Sequence, residues 1–111
     1  FKGQLANQLD RAISFAEGIA ADSRQEDKAR LAVNALYNAT SAILLAWEGA
    51  SAGLNGGDAR RLLLARMVLD HRLLPQDPMA SGVNHFDKAA ADILLEDTPI
   101  GLPEVIETLT L

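Results

Sequence analysis

SRQEDKARLAVNALYNATSAILLAWEGASAG, running from Ser23 to Gly53, reads as one helix of about eight turns at ~3.6 residues each. It carries apolar side chains on two faces. On a helical wheel Ala29, Ala32, Val33, Leu36, Tyr37, Thr40, Ile43, Leu44 and Trp47 fill one arc, while Ala35, Ala39, Ala42, Ala46 and Gly53 line a narrower stripe of small side chains. A helix patterned in this way is expected to sit between neighbours on both flanks. It is not expected to span a membrane, because Asn34, Tyr37, Asn38, Thr40 and Ser41 interrupt its uncharged run, which is shorter than the roughly 20 apolar residues a span needs.

Upstream, Lys2 to Ala21 has the period of an amphipathic helix, with Leu5, Leu9, Ala12, Ile13, Ala16, Ile19 and Ala20 on one side and Asn7, Asp10, Arg11, Ser14 and Glu17 on the other. Asp22 and Ser23 mark the break, and Ser23 and Glu26 have the spacing of a capping box. A link this short predicts an antiparallel hairpin of helices. Downstream, Leu54-Asn55-Gly56-Gly57 stops the long helix, since glycine and asparagine reach left-handed backbone angles at little cost. Asp58 is placed to cap a third helix from Ala59 to Leu74, apolar nearly all round and so expected to be central. Pro75 to Val83 reads as the one sizeable irregular segment, followed by a helix capped by Asn84 and running to about Leu95. Pro103 suits a first helical position, which predicts a last short helix or turn over Pro103 to Thr108.

The expected fold is therefore all-α: an antiparallel bundle of about four helices with a short C-terminal helix or turn, in one domain covering residues 1–111. Alanine and leucine dominate and suit helices. A net charge of −5 argues against nucleic acid or an anionic membrane as partner, because such binding relies on cations displacing counterions from phosphates. The chain has no cysteine, which removes disulfide and thiolate chemistry and fits a cytoplasmic setting. It begins at Phe1 with helical periodicity already running by Leu5, as expected of a C-terminal piece of a longer chain.

Candidate chemistry resolves into structural roles. Arg60, Arg61, Arg66 and Arg72 could form an anion site, but only Arg61 and Arg72 share a helical face, and Arg66 has Asp70 at i+4 as an ion partner. His71 and His85 lack a carboxylate or second histidine at i+3 or i+4, so no helical metal site is expected. Among Leu64, Met67 and Leu74, His71 is read as a hydrogen-bonded core histidine; His85, beside a cap, is read as a surface residue. Gly56-Gly57-Asp58 lacks dinucleotide and P-loop spacing and serves as helix punctuation. Ser14, Ser23, Ser41 and Ser51 have no helical histidine within reach. Glu48 follows Trp47, where an apolar neighbour could raise its pKa, but it falls with Arg30 and Ser41 on the polar side. No catalytic, cofactor-binding or metal-binding residue is assigned.

Leu36-Tyr37-Asn38-Ala39-Thr40-Ser41-Ala42-Ile43-Leu44-Leu45-Ala46-Trp47-Glu48, followed by Asp58-Ala59-Arg60-Arg61-Leu62-Leu63-Leu64-Ala65-Arg66, resembles the extra C-terminal helical domain of acyl-CoA dehydrogenase-like flavoproteins, especially their alkylation-response branch. Trp47-Glu48-Gly49-Ala50 also looks like a motif near the dehydrogenase active site. Its Ala-rich approach and the intervening Leu54 to Asp58 depart from that pattern, so no catalytic role passes to Glu48. The resemblance implies a parent enzyme that binds FAD and an acyl-CoA thioester through the rest of its chain. This segment would then pack on that core, support a homo-oligomer and bind no cofactor by itself. DNA binding, associated with the same branch, does not carry over to so acidic a segment. The rival expectation is a free-standing α-helical interaction or dimerisation protein in which the alanine stripe is the subunit contact.

Overall fold

A computed structural model of the chain describes residues 1–77, 79 and 84–111. Five α-helices follow one another: α1 (Lys2–Ala21), α2 (Ala29–Leu54), α3 (Arg61–Val68), α4 (His85–Leu94) and α5 (Leu102–Leu109). There is no strand among the described residues, and the all-α expectation is met. A six-residue 3-10 segment, Ser23–Lys28, joins α1 to α2, and α3 runs on into a π-helical turn, Leu69–Leu73. Pro75 to Asp77 is non-helical as expected; 78 and 80–83, the rest of the expected irregular segment, lie outside the described residues.

Two boundaries differ from the sequence reading, each for a local reason. The long helix starts at Ala29 rather than Ser23, because Asp22 takes the capping position in an extended conformation. Its carboxylate accepts the Arg24 N–H and, through both oxygens, the Arg24 guanidinium, each at 3.0 Å. That arrangement displaces the Ser23–Glu26 box and tightens the next six residues into 3-10 geometry. The third helix starts at Arg61 rather than Ala59, since Asp58 Oδ1 accepts the Arg60 N–H at 3.0 Å and holds Asp58 and Ala59 in a turn. Between them Gly56, at φ 79°, ends α2 in the left-handed region, and the Gly57 N–H donates to the Ala52 carbonyl at 2.8 Å.

The small-residue stripe of α2 is its inward face. Ala32, Ala39, Ala42 and Gly49 are buried. Ala42 meets Leu5 of α1 and Leu69 of the π turn, while Ala35 shares a groove with Ala12 of α1, so α1 and α2 run antiparallel. At Gly49 the backbones of α2 and α3 come so close that a Cβ would stand 2.6 Å from the Leu62 nitrogen. Near the end of α2, a Cβ on Gly53 would meet the Ala59 and Leu102 side chains at 2.9 and 3.0 Å. Small side chains thus set the interhelical distances directly.

Most of the remaining core lies on the other side of α3. Leu62 and Leu63 pack with Phe86, Ala90 and Ile93 of α4, Val105 of α5, and Ile100 just before α5. Backbone and side-chain bonds pin this C-terminal part to the start of α3: the Ala59 N–H donates to the Ile100 carbonyl at 2.8 Å, and the Ile100 N–H donates to Asp58 Oδ1 at 3.2 Å. The Arg60 guanidinium donates to the Thr98 carbonyl at 2.6 Å.

The resulting body measures 50 × 36 × 22 Å, and its short dimension is about two helix diameters. Its radius of gyration is 16.0 Å, against about 13 Å for a compact domain of ~100 residues. It exposes 7471 Å², where a compact monomer of this size would expose about 6,000 Å². The chain is a slab with surplus surface.

Candidate functional site

Part of the exposed apolar surface lies on the outer face of α2. Opposite the alanine stripe, Val33 (63% exposed), Tyr37 (71%), Leu44 (53%) and Trp47 (67%) stand in solvent. The sequence reading placed this broad arc against a neighbour, as it did the stripe. Within this chain the stripe is covered, along with Ile43 at the edge of the broad arc, because α1 and α3 pack on the small-residue side and α5 reaches α2 at Gly53. Ala32, assigned to the broad arc, belongs to the buried side.

The side chains along this outer face follow a strict alternation. Val33, Tyr37, Thr40, Leu44, Trp47, Ser51 and Leu54 are separated by four and three residues in turn, which aligns them as a ridge along one side of the helix. From Leu31 to Trp47 the helix has no charged residue. Ordinary solvated helix surface carries charge, whereas interface centres are depleted of it and enriched in Trp and Tyr.

Beside the ridge, an open groove of about 410 Å³ runs between α1, α2 and the π turn. Gln8, Arg11, Asn34, Asn38 and Arg72 supply its polar lining, while Phe15 and Leu31 form an apolar wall. Gln8 is buried on the face of α1 where the amphipathic pattern calls for apolar residues. Its position one turn beyond Leu5 was the only signal in the sequence. The π turn brings Arg72 and Leu73 onto the groove, a placement that an α-helical continuation to Leu74 did not foresee.

The other residues singled out by sequence take structural roles. Arg60 Nε lies 2.7 Å from Asp58 Oδ2 as a charge contact, and Arg66 lies 3.3 Å from Asp70, the i+4 pair that the spacing predicts. Arg66 also donates to the Leu109 carbonyl and stacks 4.0 Å from the Phe86 ring centroid. Arg61 pairs with Glu48 at 3.0 Å, so Glu48 is a partly solvated ion partner. Two shifted carboxylates are likewise caps. Burial raises the Asp58 pKa, but the Arg60 and Ile100 N–H donors and the Arg60 guanidinium outweigh it and hold the group below the ordinary carboxylate range. Asp22 is lowered chiefly by the Arg24 side chain.

His71 is not in the core. It is exposed, and its Nε2 lies 2.8 Å from Asp87 Oδ2 of α4 rather than near Asp70. Leu64, one of the neighbours expected to enclose it, is itself exposed, so that side of the helix is not the core. A histidine–carboxylate pair is part of a proton relay only when a nucleophile meets the other ring nitrogen, and among the described residues none is hydrogen-bonded there. His85 is exposed, as expected. Among the described residues no group of three or more His, Cys, Asp or Glu side chains converges for a metal ion, and no helix is long and apolar enough to cross a membrane. The arrangement can bind a helix along the ridge and a polar group in the groove. Among the described residues no acid, base and nucleophile are assembled.

No family model, curated protein or solved structure matches this chain.

Proposed function

We propose that this chain is a non-catalytic, oligomer-supporting helical domain that works by presenting the outer face of α2 to another polypeptide surface. The uncharged ridge from Val33 to Trp47, with an exposed tyrosine and tryptophan, carries this reading. Its setting is the auxiliary C-terminal domain of an FAD-dependent acyl-CoA dehydrogenase-like enzyme. The residues that resemble that family, Leu36 to Glu48 and Asp58 to Arg66, lie on α2 and at the start of α3, the pair in contact at Gly49. FAD and the acyl-CoA thioester belong to the rest of the parent chain, and the cysteine-free composition favours the cytoplasm.

Purifying the protein from its natural source and measuring its intact mass and flavin absorbance tests the setting. The expected result is a polypeptide several times longer that releases flavin on denaturation. A colourless natural protein close to 111 residues long overturns the flavoprotein reading. The second reading is then the free-standing dimerisation protein, favoured by the regular four-three spacing of the ridge, which a second helix of the same kind can match.

A further inference from the structure

We infer that the ridge of α2 pairs with the same ridge of a second copy, antiparallel, in a register set by Arg30 of one copy against Trp47 and Glu48 of the other. This inference rests on the assembly reading above and adds the partner and the geometry. Three observations lead to it. Val33, Tyr37, Leu44 and Trp47 are each more than half exposed, so the ridge offers the charge-depleted, aromatic-bearing centre that a homodimer interface buries. The ridge also lies on the side of α2 away from the buried small-residue stripe, which leaves it open to a second helix. The third observation is charge and size.

In an antiparallel seam with four-three spacing, each layer joins residues from the two alternating positions. One such register sets Tyr37 against Thr40 and Val33 against Leu44, large beside small, and brings Arg30 over Trp47. Glu48 is the next residue, so the guanidinium meets an aromatic face and a carboxylate together. The neighbouring register sets Tyr37 against Trp47 and Arg30 against Leu54, crowding one layer and leaving a cation on an apolar side chain. Parallel pairing sets Arg30 against Arg30 and Trp47 against Trp47. Of these three arrangements, the first alone gives the cation at the end of the ridge an aromatic face and a carboxylate, and antiparallel pairing also opposes the two helix dipoles. Within its own chain Arg30 forms no salt bridge among the described residues, whereas Glu48 already holds Arg61 and can accept a second cation on its exposed side.

Sedimentation equilibrium of the full chain, with circular dichroism as a folding control, tests the proposal. A dimer is expected, and Leu44→Glu should weaken it at least about 30-fold with helicity unchanged. Arg30→Glu and Glu48→Arg should each weaken it about three- to ten-fold, and the double reversal should recover most of that loss. Because the chain has no cysteine, orientation can be read by oxidation. A mixture of Val33→Cys and Leu44→Cys chains should form the mixed disulfide, and Val33→Cys alone should not, since its two copies stand about 16 Å apart along the seam. Cross-linking of Val33→Cys to itself, or charge reversals that do not compensate, overturns the antiparallel pair; if Leu44→Glu still abolishes association, the assembly reading survives. A chain that stays monomeric overturns the inference as well. If Trp47 fluorescence in the natural protein is then as solvent-exposed as in the isolated chain, the assembly reading falls with it.

Discussion

Ala42 is fully buried between Leu5 of α1 and Leu69 of the π turn, so its size matters more than its chemistry. Ala42→Leu should cost about 1–3 kcal/mol through overpacking, read as a lower urea midpoint at unchanged slope. Period alone made that stripe legible, because alanines three and four residues apart have few other uses on a helix in the company of Leu and Trp. Gly49 was less legible: it lies on the same stripe but sits in a Trp-Glu-Gly string that invites a catalytic comparison, and its role is the close approach to Leu62. Asp58 was legible as a cap, but not as a tie to Ile100, 42 residues away, since only tertiary contact supplies that donor. A carboxyl held below its unfolded pKa stabilises the fold above about pH 4, and this contribution fades as pH falls through the folded value. Asp58→Asn should therefore lower stability near pH 6 and flatten the acid side of the stability profile measured by denaturant titration.

At the scale of elements, α1, α4 and α5 fall within a residue or two of the spans that their patterns predict, because each has a clear break and one apolar side. The 3-10 link and the π turn were not legible. Both come from competition between nearby hydrogen-bond partners, Asp22 with the Ser23 box in one case and a Leu74 N–H that donates five residues back to Leu69 in the other. Short α5 is held at its far end by Arg66, which reaches the Leu109 carbonyl while stacked on Phe86. Arg66→Ala should destabilise the fold by about 1–3 kcal/mol. Amide exchange should quicken across α5 well before it changes in α1, which Arg66 does not touch.

For the whole molecule, sequence patterning correctly marked two apolar faces on α2 but could not say which belongs to the interior of this chain. A helix wheel gives the angle between faces, not the number of elements available to cover them. Here α1 and α3 suffice for the small side only, and the large side chains are left outward. Had Trp47 been sandwiched within the chain, Trp47→Ala would have cost about 3–5 kcal/mol. At its observed exposure, the same change made in a monomeric Leu44→Glu background should alter unfolding free energy by less than about 0.5 kcal/mol.

The 22 Å thickness has a bearing on hydration as well as on assembly. In a slab about two helices thick, each helix keeps a flank close to bulk water. Water is excluded along the seams between helices, around Leu63, Phe86 and Val105, while the outer face of α2 stays wet unless another surface is laid against it.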